Sequence, residues 1–224
     1  MNTSRSILIV VTSVSEISPG EPTGLWLEEF AVPYMSFKSK GFKVTVASIH
    51  GGNAPVDPRS EPSPEQKEAW AEAIKALSDT VPVASIKPAN FDAVFIPGGH
   101  GTMFDFPGNK DLHNVLRGFA EQDKVIAAMC HGPACLLGVT LEDGTPLVAG
   151  RTVTSFTNDE ETEAGFTEKM PFLLESRLKE LGANFVEQPN WSNHVQVDGK
   201  LITGQNPQSS ESAALAVINA LTNN

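Results

Sequence analysis

Residues 125–136 read Val-Ile-Ala-Ala-Met-Cys-His-Gly-Pro-Ala-Cys-Leu, an apolar run that ends abruptly at Cys130. The run has the character of a buried strand, and the Gly-Pro pair after it opens an apolar segment of helical character. A strand, a sharp turn and a helix in this order place the Cys130 side chain at the C-terminal edge of a sheet, beside free N–H groups of the helix. Those N–H groups favour a thiolate, so we interpret Cys130 as a nucleophile. The alternative is an unreactive core cysteine, since free cysteine is among the most buried residue types.

Strand-like and helix-like segments alternate along the rest of the chain. Apolar runs at residues 6–12, 43–49 and 93–96 are typical of buried parallel strands. The other predicted elements are helices at residues 25–40, 64–77, 109–122 and 174–181 and near the C-terminus, a strand at 148–154, a hairpin at 195–203 and a Gly- and Pro-rich loop at 51–64. The order predicts an α/β fold, a doubly wound, mostly parallel sheet flanked by helices on both faces. No repeat or linker interrupts it, so we expect a single domain over residues 1–224.

Composition excludes several classes of partner. The 224 residues include 16 Lys and Arg against 27 Asp and Glu, a net charge of −11, and no basic cluster offsets it. Nucleic acid and anionic membrane surfaces are therefore not expected as partners. The apolar run at residues 7–11 is too short for a signal peptide or a membrane span. With only Cys130 and Cys135, a disulfide framework is implausible, and we expect a cytoplasmic protein.

Two adjacent acids, Glu28 and Glu29, lie near the start of the first predicted helix. Neighbouring helical residues are about 100° apart, so one acid can face solvent while the other faces the edge of the core. A carboxyl at an apolar site has a raised pKa and suits proton transfer. The alternative is that both acids are solvated residues of an ordinary helix start.

Two further segments follow predicted strands and could contribute to a site around Cys130. Residues 97–101, Pro-Gly-Gly-His-Gly, could present backbone N–H groups to an oxyanion. The acids in residues 155–161 could orient a histidine or only cap a helix.

The sequence contains no recognisable metal or cofactor motif. The histidines at positions 50, 100, 113, 131 and 194 show no close metal-ligand spacing, and neither a phosphate-binding loop nor an H-E-x-x-H motif is present. We therefore expect no metal and no cofactor, and we interpret His113 as a residue on a helix surface.

Together these motifs resemble the ThiJ/PfpI superfamily, which has the class I glutamine-amidotransferase-like, flavodoxin-like sandwich fold, and in particular its glyoxalase III and heat-shock chaperone subgroup. The similar stretches are residues 23–29, 98–105, 128–134, 155–161, 190–192 and 197–207. The late His-x-Glu motif of glutamine amidotransferases reads His194-Val195-Gln196 here, so glutamine hydrolysis is not expected.

The resemblance implies a role for each candidate residue. Cys130 would be the nucleophile, His131 its basic neighbour and Glu161 the acid that orients His131. Glu29, and not Glu28, would be the acid that approaches the thiol.

The same resemblance implies an oxyanion and substrate-binding site. It would be formed by Gly98, Gly99 and His100, with the backbone N–H groups of Gly99 and His131 as donors.

The activity implied is conversion of methylglyoxal, a small dicarbonyl, to D-lactate without glutathione, by a cytoplasmic homodimer. The alternatives are a stress-response holding chaperone or protein deglycase, a cysteine peptidase or amidase on the same fold, and a redox sensor based on Cys130.

Overall fold

The computed structural model describes residues 5–222, and its regular elements alternate as the sequence predicts. The strands are β1 (Ser6–Val11), β2 (Glu16–Ser18), β3 (Glu21–Pro22), β4 (Lys43–Ser48), β5 (Val81–Pro82), β6 (Ala93–Ile96), β7 (Val125–Met129), β8 (Thr152–Val153), β9 (Asn184–Phe185), β10 (Val195–Asp198) and β11 (Leu201–Gly204). The α-helices are α1 (Leu27–Ser39), α2 (Pro64–Ala69), α3 (Ala71–Ala76), α4 (Thr102–Asp105), α5 (Lys110–Glu121), α6 (Asn158–Ala164), α7 (Leu174–Glu180) and α8 (Ser210–Thr222). Short 3₁₀ helices lie at Pro58–Ser60, Val83–Ser85, Pro88–Asn90, Gly132–Leu136 and Pro207–Ser209.

The central sheet has the strand order β10-β11-β7-β6-β1-β4-β5. All neighbouring strands in it pair in parallel except β10, which forms an antiparallel hairpin with β11. From β1 the chain adds β4 and β5 on one side of β1, and it then crosses to β6 on the other side. In such doubly wound sheets, sites form outside the carboxyl ends of the strands near the point where the order reverses. The predicted fold class is therefore confirmed.

Both faces of the sheet are covered because the strands are apolar on both sides. In β1, Ile7 and Ile9 belong to the core beneath α1, α3 and α8, while Leu8 and Val10 belong to the core beneath α5 and α7. Such side chains are fully buried, and each contributes about 1.5–3 kcal/mol to stability relative to an exposed position. This packing fixes the strand ends that carry the candidate site.

Two predicted elements are shorter in the structure than the sequence indicates. The helix expected at residues 64–77 is interrupted at Trp70, whose backbone angles of −102° and 13° leave the helical range, so that α2 and α3 are separate. The strand expected at residues 148–154 is limited to β8, which pairs only with the equally short β9.

The interpretation of His113 as a surface residue is wrong. Its side chain is buried, and Nε2 lies 3.1 Å from the Phe106 carbonyl oxygen, which satisfies the ring. The ring of His113 also lies against Gly138, where a Cβ would be only 2.1 Å from Cε1 of the ring. Glycine at that position leaves the space in which the histidine is buried.

Within residues 5–222, no helix has both the length and the apolar composition needed to cross a membrane.

Candidate active site

Cys130 lies one residue beyond β7, on a turn with strained backbone geometry. Its φ is +54°, a left-handed conformation that is uncommon for a residue with a side chain. Two backbone hydrogen bonds hold it there: its N–H donates to the Gly204 carbonyl, and its carbonyl accepts from the Phe156 N–H. The strand–turn arrangement predicted from residues 125–136 is present.

The expectation of a thiolate favoured by a helix N-terminus is wrong for the free protein. The segment after Cys130 is a five-residue 3₁₀ helix, not an α-helix. Burial and the neighbouring Glu29 carboxyl raise the pKa of the Cys130 thiol well above its ordinary value, and the His131 N–H only partly opposes them. The thiol therefore needs a base when it reacts.

His131 supplies a nitrogen beside the thiol, and Glu161 binds the other side of its ring. Nδ1 lies 3.4 Å from the Cys130 sulfur, and Nε2 lies 2.6 Å from Glu161 Oε2. Glu161 is positioned by α6, whose start is fixed by a capping box between Thr157 and Glu160. Burial alone would raise the pKa of Glu161, but His131 and His100 hold it well below its ordinary value, so the carboxylate is ionised.

Glu29 is the second acid beside Cys130, and the first turns of α1 bury it completely. Its Oε2 accepts a hydrogen bond of 2.7 Å from the Gly98 N–H. Its Oε1 is buried without an aligned donor in the described part of the chain, and the carboxyl interacts with the Cys130 thiol. Burial raises the pKa of Glu29 to about 8. Its neighbour Glu28 is only half-buried, as the angular separation along a helix allows.

The two glycines of the turn after β6 differ in whether their N–H groups already have a hydrogen-bond partner. The Gly98 N–H is occupied by Glu29, so it cannot bind an oxyanion. The Gly99 N–H has no hydrogen-bond partner among residues 5–222. Gly99 has a φ of +102°, and a Cβ there would lie 2.3 Å from the Gly24 carbonyl oxygen, so only glycine fits. Of the two glycines, Gly99 is the one whose N–H can receive a developing negative charge.

His100 borders the site, but both of its ring nitrogens already have partners. Nε2 lies 2.7 Å from Glu161 Oε1, and Nδ1 lies 3.0 Å from Nη2 of Arg59. The ring also stacks on Phe166, with 4.4 Å between the centroids. Both ring nitrogens of His100 are therefore occupied, and its part in oxyanion and substrate binding stays a prediction.

A cavity of about 320 Å³ opens over the Cys130 side chain. Its lining includes the aromatic side chains Trp26, Phe156, Phe166 and Trp191, together with Glu28 and Arg59. This volume lies at the lower end of the range of about 300–1,000 Å³ for small-molecule sites. A larger cleft of about 880 Å³ lies near the amino ends of β7 and β11, and none of the candidate catalytic residues lines it.

Sequence reasoning missed Arg59 and most of the aromatic walls. Arg59 lies in the Gly- and Pro-rich loop, which carried no signal beyond its loop character. Trp26, Phe156 and Trp191 lie in stretches that the family resemblance includes, so their presence at the site could have been suspected, whereas Phe166 lies outside those stretches.

His100, His131 and Glu161 also form a group that could hold a metal ion, because one ligand atom from each lies within 4.8 Å of the others. Both imidazoles already form hydrogen bonds with the carboxylate, so the group is satisfied by protons alone. The expected absence of a metal stays a prediction.

Comparisons of the sequence and of the structure with known proteins find similar proteins in both cases. The family model described as DJ-1/PfpI matches residues 24–220. Glyoxalase 3 of Candida albicans is 31% identical over 96% of this chain and 97% of its own. A glutathione-independent glyoxalase of Saccharomyces cerevisiae is 30% identical over 98% of this chain and 99% of its own. The crystal structure of glyoxalase III from Candida albicans superimposes with a TM-score of 0.91 at 31% identity, covering 98% of both chains.

Proposed function

The chain belongs to the DJ-1/PfpI family, and from that premise we propose that it is a glutathione-independent glyoxalase that converts methylglyoxal to D-lactate. One full-length relative is named glyoxalase 3, and another is named a glutathione-independent glyoxalase. The observation that carries the proposal is the Glu29 carboxyl, which is buried against the Cys130 thiol and has a pKa of about 8. A carboxyl that can hold or release a proton near neutral pH, beside a nucleophile, is what proton transfer between two carbons needs.

The first step is addition of the thiol to the aldehyde. His131 Nδ1, 3.4 Å from the sulfur, takes the thiol proton as the sulfur bonds to the aldehyde carbon. The aldehyde oxygen becomes an oxyanion, for which the unpartnered Gly99 N–H is a donor. Glu29, protonated up to about pH 8, gives its proton to that oxygen. The product of this step is a hemithioacetal, with Glu29 left as a carboxylate and His131 protonated.

The second step moves hydrogen between the two carbons. Glu29 removes the proton from the former aldehyde carbon, the electron pair forms a carbon–carbon double bond, and the adjacent carbonyl oxygen takes the proton from His131. The resulting enediol collapses when Glu29 returns its proton to the second carbon and His131 accepts the proton of the first hydroxyl. The product is a lactoyl thioester, with Glu29 left as a carboxylate and His131 protonated. Water adds to the thioester carbon and the carbon–sulfur bond breaks, so that the hydroxyl of the water remains on lactic acid and its other proton goes to the sulfur. Lactic acid loses its proton to solvent, and transfer of the proton of His131 to Glu29 restores the starting state.

The test is a D-lactate assay on purified protein with methylglyoxal and no added thiol. We expect D-lactate from wild-type protein and none from Cys130→Ala. Cys135→Ala is the matched control, because Cys135 is buried in the apolar core and does not line the cavity over Cys130. The proposal would be overturned if Cys130→Ala retained full activity, or if wild-type protein produced no D-lactate.

The proposed setting is a cytoplasmic homodimer that binds neither nucleic acid nor membrane. The family resemblance supports the dimer, and the net charge of −11 argues against nucleic acid. Light scattering of the purified chain at several concentrations would measure the oligomeric state, and a monomer throughout would contradict the proposal.

A further inference from the structure

Arg59 is held in one position at the edge of the site by buried groups. Its Nε donates to Asp57 Oδ1 at 2.9 Å, and Nη2 pairs with Asp57 Oδ2. Asp57 is fully buried and is itself fixed by a 2.9 Å hydrogen bond from the Thr23 hydroxyl. The guanidinium also lies over the Phe166 ring, 4.0 Å from its centroid. These contacts direct Nη2 at His100.

The contact between Arg59 and His100 decides which nitrogen of His100 carries the proton. A guanidinium has only donors, so His100 Nδ1, 3.0 Å from Nη2, must accept and be unprotonated. Burial and the neighbouring His131 lower the pKa of His100 to about 4, so its ring is neutral near pH 7. A neutral ring has one N–H, and in His100 it must lie on Nε2, which donates to Glu161 Oε1.

The carboxylate of Glu161 also determines which ring nitrogen of His131 carries a hydrogen. The ionised carboxylate can only accept, so the Nε2 atom of His131, 2.6 Å from Oε2, carries a hydrogen. In its neutral form His131 then presents an unprotonated Nδ1 to the Cys130 sulfur. The opposite tautomer would present an N–H, which cannot accept the thiol proton.

We propose that Arg59 and His100 are positioning residues, which hold Glu161 and His131 so that His131 faces the Cys130 thiol as a base. Arg59 fixes the tautomer of His100, His100 occupies one oxygen of Glu161, and the other oxygen is left to His131. The Gly- and Pro-rich loop between β4 and α2, which contains Arg59, thereby helps to keep Nδ1 of His131 unprotonated beside the Cys130 sulfur. Removing the partner that orients a metal-bound histidine costs about 10- to 100-fold in affinity or activity, and we expect a loss of that order here.

The first experiment reads the tautomers directly. Long-range ¹H–¹⁵N correlation spectra of the full chain with ¹⁵N-labelled histidine distinguish protonated from unprotonated ring nitrogens. At pH 7 we expect His100 in the Nε2–H form, and we expect Arg59→Met to produce a mixture of tautomers. Arg177→Met, which removes a surface arginine paired with Glu180, is the matched control and should leave the spectrum of His100 unchanged. A wild-type His100 with its proton on Nδ1 would overturn the inference.

The second experiment avoids the risk that Arg59→Met unfolds by leaving Asp57 buried without its partner. Glutamine at position 100 can place an amide N–H near the position of Nε2, whereas phenylalanine keeps the ring shape without a donor. We expect kcat to fall about 10- to 100-fold in His100→Phe with little change in KM, and to be largely restored in His100→Gln. Equal kcat values in His100→Phe and wild type would overturn the inference.

The kcat comparison rests on the proposed function, because it uses methylglyoxal as the substrate. The third experiment therefore measures the reactivity of the Cys130 thiol without methylglyoxal. In a Cys135→Ala background, alkylation of Cys130 by iodoacetamide at pH 7 reports how readily the thiol loses its proton. We expect slower alkylation in His100→Phe and Arg59→Met, with His100→Gln close to the background protein. If this holds while methylglyoxal is not converted, the proposed function fails and the positioning role stands. Unchanged alkylation in folded His100→Phe would overturn the positioning role, whatever the substrate.

Discussion

Glu29 at the start of α1 and Glu161 at the start of α6 are both buried beside the Cys130–His131 pair, but they hold protons in opposite ways. The pKa of Glu29 is raised to about 8, whereas the pKa of Glu161 lies well below its ordinary value. A helix N-terminus would lower both pKa values, so position within a helix does not explain the difference.

The partners of the two carboxyl groups explain it. Glu29 receives one N–H, from Gly98, and faces a thiol, so burial dominates and favours the neutral acid. Glu161 binds one imidazole at each oxygen, and these two partners outweigh burial. Burial with few donors therefore produces an acid that can move a proton, and burial with two imidazoles produces a fixed anion that orients a base.

The largest expected effect is that of Glu29→Gln on catalysis. Glutamine keeps the shape of the protonated acid but cannot transfer its proton, so kcat/KM should fall about 10²–10⁴-fold, the usual contribution of a general acid or base. Steady-state D-lactate formation measures this, with Glu28→Gln as the neighbouring control that should lose far less. If Glu29→Gln retained at least a tenth of the wild-type kcat/KM, Glu29 would not be the residue that transfers the proton.

The second effect concerns how stability depends on pH. Between pH 4.5 and about 8, native Glu29 keeps its proton while the unfolded chain has lost it, so the free energy of unfolding should fall as pH rises and level off above about 8. Over this range, the loss should be on the order of 5 kcal/mol in wild type relative to Glu29→Gln. Urea unfolding from pH 5 to pH 9 measures it, and parallel curves for the two proteins would contradict it.

Glu161 should show the opposite pH dependence. Its lowered pKa means that the unfolded chain binds a proton below pH 4.5 while the native protein does not, so its stabilising contribution is lost only as pH falls below that value. A stability difference between wild type and Glu161→Gln that changed between pH 6 and pH 8 would contradict this assignment.

The third effect is the loss of activity in Glu161→Gln. The amide can accept at one atom only, so one imidazole N–H faces an NH₂ group and His131 is no longer held in one orientation. We expect kcat to fall about 10- to 100-fold with KM little changed, and the free energy of unfolding at pH 7 to fall by about 1–3 kcal/mol. Steady-state kinetics and urea unfolding measure the two quantities, and a change confined to KM would contradict the orienting role.

The smallest effect should come from Glu160→Gln, one residue away. Glu160 is fully buried, but it accepts from Thr157, Trp191 and two side-chain amides and binds no histidine. Because Trp191 lines the cavity, we expect KM to rise by about 2- to 10-fold, equivalent to one hydrogen bond of about 0.5–1.5 kcal/mol. Substrate titrations measure KM, and a fall in kcat as large as that in Glu161→Gln would show that the two neighbours share one role.

Periodicity and turn chemistry were sufficient for most of the fold. The apolar strands, the hairpin of β10 and β11 and the turn at Cys130 were predicted because each depends on residues that are neighbours in sequence. The break at Trp70 and the burial of His113 were not predicted. The burial of His113 depends on Gly138, which is distant in sequence.

The sequence by itself determined an α/β sheet with Cys130 at a strand end, and its resemblance to a known family implied Glu29, His131 and Glu161 as partners. Only the tertiary structure decided what those partners do. Within residues 5–222, the Gly98 N–H donates to Glu29, the Gly99 N–H has no partner, and Arg59 from a distant loop contacts His100. Proton affinity depends on burial and on donors within a few ångströms. Those neighbours come from four or more separate strand ends and helix starts, which sequence spacing does not bring together.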